Sequence, residues 1–431
     1  MIENTSPRAA ARDSLAAFSK HGKYTNLEVA SKLSRLPLSD ADKRLYTALV
    51  YGVAERIPTL DHVIGTLSSR PIAEIDIVTL CCLRLGLYQL LYMDRIPDHA
   101  AISETVDISP AKSRGFVNAV LREFIRRGGR IEYPPEDDTF KYMSVKYSCP
   151  ETMCRYLAGK LGADGAMRLL EASFDRRATV RANTLVTDAE SLIRDVFPDG
   201  KISDLSPDVV EVPSLTGADM SDNRWFVQDT ASRLAVTALS PKPGETVVDC
   251  CAAPGGKSFS AAIDMKNEGK IYSFDIHENK IGLIKSGAER LGIKIIEAAC
   301  RDAADPAPEL SGLADRVICD APCSGLGVIS KKPDIKYKDP SEFERLPSVQ
   351  RNVLEGASVY VKPGGVLVYS TCTVNSDENE GVAGSFLLDH PEFRLSPFSF
   401  GTLCSDGMFT FLPGEHNTDG FFVCRMEKSA E

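Results

Sequence analysis

Residues 247 to 258 read V-V-D-C-C-A-A-P-G-G-K-S. An apolar run ends in Asp249, a turn of small residues carries Gly255 and Gly256, and a helix-compatible stretch from Ser258 to Met265 follows. The end of the motif, Gly256-Lys257-Ser258, matches the close of a nucleotide-binding P-loop. Its beginning does not, because Cys251 stands where a P-loop needs its first glycine. No run of glycine amides is left to wrap a triphosphate, which disfavours an ATPase. The stretch does supply a strand, a tight turn and a helix. Its glycines let the main chain approach a cofactor at the carboxyl end of a first parallel strand.

Working outward from this strand, the chain after Pro243 alternates between β and α patterns. Strands are predicted at Thr246–Cys250, Lys270–Ile276, Lys294–Ala298, Arg316–Asp320 and Val366–Ser370. Helices are predicted between them, including Glu278–Leu291 and Ser341–Tyr360. Such alternation implies a parallel, doubly wound sheet of Rossmann type. A hairpin-like tail, Phe393–Leu395 and Phe421–Arg425, is expected to close its edge. Toward the N-terminus, Arg8 to Arg130 reads as helical, with apolar residues recurring at three and four, as in Ile75, Val78, Leu80, Leu83, Leu87, Leu90 and Leu91. Prolines at 37, 58, 71, 97 and 110 mark helix starts and breaks. We expect about seven short helices there, then a polar linker from Gly128 to Asp138. Residues 139 to 240 look mixed, with helices at Glu151–Leu161 and Gly165–Ser173 and strands at Thr179–Asn183 and Asp208–Val212. The expected organisation is therefore multidomain: a helical domain over 1–135, a small α/β linker domain over 139–240, and an α/β Rossmann-like domain over 241–431.

Composition narrows the class. With 431 residues, 43% hydrophobic and 26% charged, the chain has the make-up of well-cored soluble protein. No apolar run approaches the roughly 20 residues of a membrane helix, and residues 1–12 show no signal-peptide core. The 12 cysteines follow no disulfide framework and no C-x-x-C pair occurs, so free thiols in a reducing cytoplasm are expected and a structural zinc site is not. The net charge of −10 argues against a nucleic-acid partner, since phosphates are bound through Lys and Arg. That average hides a division, because residues 1–140 carry 18 basic and 18 acidic side chains. Two basic clusters also stand out: Arg122, Arg126, Arg127 and Arg130, and then Lys331, Lys332, Lys336 and Lys338. Such clusters are commonly solvated faces.

The predicted carboxyl ends of successive strands carry acids at Asp249, Asp275, Asp302 and Asp320. Asp275 stands where a carboxylate accepts the ribose hydroxyls of an adenosine, although capping of the next helix is the alternative. Asp302 could accept from the adenine amino group. No G-x-G-x-x-G is present, which disfavours a nicotinamide cofactor. S-adenosylmethionine suits the site better: it has no pyrophosphate to cradle, while its ribose and ammonium want carboxylates. Two cysteines, Cys323 and Cys372, fall just beyond strand ends at the same edge. Each alone reads as a small core residue. Together, beside a methyl donor, they suggest methylation of pyrimidine carbon 5. A thiolate adding to carbon 6 makes carbon 5 nucleophilic, and Asp320 could protonate or hydrogen-bond N3.

D-C-C-A-A-P-G-G-K, D-A-P-C-S-G and Y-S-T-C-T-V-N-S-D-E-N-E resemble the signature motifs of RNA cytosine-C5 methyltransferases. The resemblance implies Cys372 as nucleophile and Cys323 as the thiol that assists breakdown of the adduct. DNA cytosine methyltransferases attack with the cysteine of their P-C motif, so the swapped assignment stays open. The resemblance also implies cofactor contacts at Cys251, Ala252, Ala253, Pro254, Gly255, Gly256 and Lys257, and at Asp275, Asp302 and Asp320. Cys300-Arg301-Asp302 departs from the commoner Gly before Asp.

The front half, R-I-P-D-H-A-A-I-S-E-T-V-D from Arg95 and G-F-V-N-A-V-L-R-E from Gly115, resembles the helical NusB RNA-binding domain. Tyr147–Glu151, Arg181–Leu185 and Trp225–Ser232 resemble the linker domain that precedes the catalytic core in these enzymes. Nearly the whole chain is thus similar to the bacterial small-subunit ribosomal RNA methyltransferase B (Sun) family. The expected activity is formation of 5-methylcytosine in 16S ribosomal RNA, by a cytoplasmic protein with no metal and no membrane partner, for which a monomer suffices. A transfer-RNA substrate, or an RNA-binding factor with a decayed core, are the alternatives. The basic clusters then become expected phosphate contacts, and Tyr337 or Phe226 could stack on a flipped base. His277 reads as a helix-surface residue.

Overall fold

The apolar run around Leu80 becomes a helix because Asp76 caps it, its carboxylate accepting from the Thr79 backbone N–H at 3.1 Å. The computed structural model, which describes residues 6–21, 33, 38–174 and 177–430, carries this helix from Ile77 to Tyr92. Thr79 through Leu87 are all buried, as befits a central helix apolar on every side. Helices Pro7–His21, Asp40–Glu55, Ile57–Leu67, Asp98–Asp107 and Arg114–Arg126 share one core with it, including Leu15, Leu49, Leu60, Leu83 and Leu121. A Cβ on Gly86 would come within 2.6 Å of Leu121, so glycine is what lets the last of these helices lie against the central one. Inside, Arg84 grips Asp61 through two 2.7 Å bonds. Part of the expected run of seven helices falls on residues 22–32 and 34–37, outside the described residues.

The chain divides into two compact units, Met1–Met167 with Lys336–Lys338, and Arg168–Ile335 with Asp339–Glu431. In the first, helix Thr139–Tyr147 is tied to the helical core where the Thr59 hydroxyl donates to the Val145 carbonyl at 2.6 Å. Helix Glu151–Ala172 follows and leaves helical geometry at Gly162, where φ is 71°.

The second unit opens with an antiparallel sheet of β1 (Ala178–Ala182), β2 (Lys201–Ser203), β3 (Ser206–Val212) and β4 (Trp225–Val227), ordered β2-β3-β1-β4. Its core holds Val180, Leu192, Phe197, Val210 and Trp225. The main sheet follows. β5 (Thr246–Asp249), β6 (Lys270–Asp275), β7 (Ile296–Cys300), β8 (Ala314–Asp320) and β9 (Val361–Thr371) run parallel in the order β7-β6-β5-β8-β9. Alternate residues go to opposite layers: Val247, Ile318 and Val368 to one core, Val248, Val317 and Leu367 to the other. The alternation predicted from the sequence is thus a doubly wound sheet. The chain order reverses between β5 and β8, and the crevice beyond their carboxyl ends is where such sheets admit ligands.

The tail departs from expectation. β10 (Phe393–Leu395) does pair with the last strand, Phe393 lying opposite Lys428. The pair is not a hairpin, because β11 (Phe398–Phe400), β12 (Leu403–Ser405) and β13 (Met408–Phe411) intervene. The last strand, β14 (Phe421–Lys428), is instead inserted antiparallel between β9 and β10.

A buried charge cluster joins the small sheet to the large one. The fully buried Arg181 of β1 binds Asp208 of β3 at 2.9 Å and Asp264 at 2.7 Å, and Arg233 binds the same two carboxylates. Asp264 closes the helix Gly256–Asp264 that follows β5. Removing one member of such a cluster strands the others without counter-charge, at a cost of about 3–5 kcal/mol. Arg181→Leu should therefore lower the unfolding free energy of this unit by that amount, seen as a lower midpoint in urea at unchanged slope. Trp225, the single tryptophan, lies buried in the small sheet and reports it by fluorescence; an unchanged midpoint would show that the cluster carries no stability.

Candidate active site

Four strand ends converge here. Asp249 ends β5 and is completely buried; its Oδ2 accepts from the Ser258 hydroxyl at 2.7 Å, and Ser258 in turn accepts from Ser273 at 2.8 Å. Among the described residues its Oδ1 makes no ordinary hydrogen bond, although the Cys251 backbone N–H steadies the carboxylate. Burial pushes the Asp249 carboxyl up to about 6, with Ser258 and Lys257 opposing. The turn from Cys250 to Gly255 is pinned by Ala252 N–H donating to the Phe274 carbonyl at 2.7 Å. Gly255 has φ 114°, in the left-handed region, and a Cβ there would meet the Phe259 ring at 2.3 Å. Two independent constraints thus demand the glycine that the sequence displays. Gly256 opens the following helix, and its carbonyl accepts from Gln228 at 2.9 Å.

Asp275 ends β6. Its Oδ1 accepts from the His277 N–H at 2.9 Å, and its Oδ2 lies 3.3 Å from the Ala253 N–H. The carboxylate therefore both shapes the turn beyond its strand and touches the cofactor loop. His277 is exposed, as expected. Asp302, two residues past β7, is exposed and accepts from the Ala304 N–H at 2.9 Å. Asp320 ends β8. Lys257 donates to its Oδ2 at 2.6 Å and the Ser370 hydroxyl to its Oδ1 at 2.8 Å.

Beyond β8 and β9 the two cysteines meet, Cys323 Sγ lying 3.2 Å from Cys372 Sγ. Cys372 is pushed below the ordinary thiol range, first by the hydrogen bond from Cys323; Lys332 and Lys257 favour its thiolate, while burial and Asp320 oppose. Cys323 is pushed well up, first by that same bond and then by burial, with Cys372, Glu378 and Asp320 adding to the effect. Cys250, Cys251 and Cys319, close by on the same strand ends, are all pushed up by burial. Cys372 is the thiol whose setting favours the anion.

The motif from Tyr369 to Glu380 displays most of the scaffold beneath this pair, but not what those residues bind. Glu378 is fully buried; Ser324 N–H and Gln350 Nε2 donate to its Oε2 at 2.8 and 2.9 Å, and Asn375 Nδ2 donates to its Oε1 at 3.0 Å. Asn379 holds the other loop, accepting from Thr371 at 2.5 Å and donating to the Thr373 carbonyl at 3.1 Å. Gly327 donates to the Cys372 carbonyl at 3.1 Å, and a Cβ on it would meet the Gly420 carbonyl oxygen at 2.0 Å. The available signal was a run of buried polar residues directly after an apolar strand.

The expected phosphate contacts separate. Arg122, Arg126, Arg127 and Arg130 are exposed at the end of helix Arg114–Arg126, with Arg126 and Arg127 both bonded to Glu123. Lys332 and Lys338 are exposed as well. Lys331 is engaged by Asp229 at 3.0 Å and Asp419 at 2.5 Å. For Lys336 the expectation is corrected: it is 1% exposed and donates to the Glu55 carbonyl at 3.3 Å. An ammonium enclosed this way cannot reach a phosphate. The two aromatic candidates are corrected likewise. Tyr337 gives its hydroxyl to the Ala54 carbonyl at 2.7 Å, and Phe226 packs edge-on against Phe259 in the core.

Among the described residues no group of His, Cys, Asp and Glu is arranged to hold a metal ion, and no helix is long and apolar enough to cross a membrane. Known proteins share this architecture. A family model described as 16S rRNA methyltransferase RsmB/F matches residues 236–427, and one described as the NusB family matches residues 5–126. A probable ribosomal RNA small subunit methyltransferase B of Bacillus subtilis (strain 168) is 36% identical, over 99% of this chain and 100% of its own length. Another protein so named, from Synechocystis sp. (strain ATCC 27184 / PCC 6803 / Kazusa), is 32% identical over 96% of this chain and 98% of its own. The crystal structure of PH0851 covers 99% of this chain and 100% of that one at 27% identity, with a TM-score of 0.76. With a NusB-family helical domain ahead of a doubly wound sheet that gathers its motifs at one edge, the chain belongs to the RsmB/F family of 16S rRNA methyltransferases.

Proposed function

We propose that the protein forms 5-methylcytosine in small-subunit ribosomal RNA, with S-adenosylmethionine as methyl donor and a transient bond between Cys372 and carbon 6 of the base. The observation that carries this reading is the pair of thiols 3.2 Å apart at the crevice, only one of them in a setting that favours its anion. The names of the relatives, ribosomal RNA small subunit methyltransferase B, support the RNA substrate.

The residues of the crevice fit the donor. Asp249 Oδ1 is a buried acceptor that makes no ordinary hydrogen bond among the described residues, and a ligand N–H or O–H would satisfy it. Asp275 retains accepting capacity on both oxygens for a ribose, and the small residues of the loop from Cys251 to Gly256 leave its main chain uncovered by bulky side chains. Asp302 and Asp320 complete the set of contacts we assign. When bound there, S-adenosylmethionine supplies a methyl group on a positively charged sulfur.

Cytosine must leave its stack to enter such a crevice. The Cys372 thiolate then adds to carbon 6, and the displaced electron pair moves to N3, which takes up a proton from solvent and, as N3–H, donates to the Asp320 carboxylate. Lys257, bonded to Asp320, holds that carboxyl in place and lends positive charge to Cys372. Carbon 5 gains nucleophilic character and is methylated. Loss of the N3 and carbon-5 protons to solvent and cleavage of the S–C6 bond restore the ring and return Cys372 as a thiolate. Cys323, already in contact with that sulfur, assists this release. We assign delivery of the RNA to residues 1–135 and the linker region 139–240, with phosphate contacts from Arg122, Arg126, Arg127, Arg130, Lys332 and Lys338.

Cys372→Ala should abolish methyl transfer to deproteinised 16S RNA, measured with labelled donor and nucleoside digestion. Cys323→Ala should instead accumulate a covalent protein–RNA complex, seen as a shifted band on denaturing gels; a shifted band with Cys372→Ala would reverse the two roles. The titrations make a further prediction. The Asp249 carboxyl binds its proton near pH 6, so affinity for S-adenosylmethionine should fall as pH drops through about 6. Equilibrium dialysis should show this dependence in the parent and a flat profile in Asp249→Asn. Because a lysine favours the Cys372 thiolate, single-turnover methylation by Lys257→Met should need a higher pH than the parent does.

A further inference from the structure

Cys323 and Cys372 are the same kind of side chain in contact with each other, yet the proposed reaction needs one as thiol and the other as thiolate. Their neighbours must break the symmetry. Asp320 disfavours the anion at both sulfurs and so cannot discriminate. Lys257 and Lys332 favour the anion of Cys372, and Glu378 disfavours that of Cys323.

Glu378 is built into this position. It is 0% exposed, and an acid so enclosed persists only when both oxygens are bonded. All three of its partners are N–H donors, which suits a carboxylate. Two of them grip the Cys323 loop from both sides. Ser324, the residue after Cys323, donates its backbone N–H to Glu378, and Gln350 donates both to Glu378 and, at 3.0 Å, to the carbonyl of Pro322, the residue before. The third partner, Asn375, lies three residues past Cys372. One buried carboxylate thus fixes the spacing of the two cysteine loops and sets a negative charge on the Cys323 side.

We propose that Glu378 is a positioning residue that decides which cysteine attacks, reserving the thiol form for Cys323 and leaving the thiolate to Cys372. This rests on the reading of Cys372 as nucleophile. Glu378 acts through the two sulfurs and touches no substrate.

Glu378→Gln separates charge from shape. The new carbonyl can accept from Ser324 and Gln350, and the new NH2 can donate to Asn375 once that amide turns over. The full-length protein, without RNA, is treated with iodoacetamide from neutral to alkaline pH, and the peptides bearing Cys323 and Cys372 are quantified by mass spectrometry. The parent should alkylate at Cys372 first. In Glu378→Gln the preference for Cys372 over Cys323 should shrink about tenfold, as removal of one close charge in a low-dielectric site implies. A merely structural role would leave the order and its pH dependence unchanged, and that result overturns the proposal. If Glu378→Gln fails to fold, by Trp225 fluorescence, Gln350→Met takes its place: it loosens the grip on Pro322 and should narrow the preference in the same direction, and a parental order there also overturns the proposal. The readout contains no RNA. A Cys372→Ala protein that still methylates would therefore sink the mechanism, while the alkylation order would still judge Glu378.

Discussion

β8 and β9 run side by side in the same direction, with Asp320 opposite Ser370. Parallel strands finish at one edge, so the segments leaving them must share the space beyond. Cys323 follows Asp320 by three residues and Cys372 follows Ser370 by two, so this pairing alone drives the sulfurs toward each other. A slip of one residue would turn every side chain of β9 to the opposite layer and exchange its two cores. The pairing is therefore held by the whole apolar interior on both faces, and the chemistry at the edge inherits that rigidity. What remains is to convert proximity into contact. The hydrogen-bonded polar residues after β9, and the bare main-chain approach of Gly327 to Gly420, do so.

How much of this could be read in the residues depended on how local each cause was. The order of the parallel sheet follows from alternation and from short connections, both of which a linear chain displays. The meeting of the two cysteines follows from their placement just past strand ends. Gly255 is legible because its turn and its helix are adjacent in the chain. Glu378 is different. It appears as one acid in a polar run, and the groups that give it meaning, Ser324 and Gln350, are 54 and 28 residues away. Lys336 failed for the same reason in reverse: it sits in a basic cluster that looks solvated, and only the tertiary fold encloses it. The inserted position of β14 was likewise hidden, since a strand added between two others needs no distinctive pattern of its own.

The net charge of −10 is also less informative than it looks. Asp208, Asp264, Asp249 and Glu378 are turned inward, where they bind arginines, hydroxyls or amides rather than repel a polyanion. Lys331 is consumed in the same way by Asp229 and Asp419, and burial beside Asp229 holds the Asp419 carboxyl up to about 7. A protein of this kind can be acidic in total and still leave arginines such as Arg122 and Arg130 at its surface. The sign of a patch is decided by which charges the fold has already neutralised internally.

The paired arginines of the small sheet bear on how the molecule can be dissected. Arg181 and Arg233 stand ahead of β5, while Asp264 stands after it. A shortened version starting at residue 241, where the Rossmann pattern begins, would keep the acid and discard both bases, leaving a raw anion on the back of the helix that carries Gly256 and Lys257. The minimal excisable piece must therefore start upstream of β1, and the small sheet serves the large one as a permanent counterion rather than as a detachable spacer.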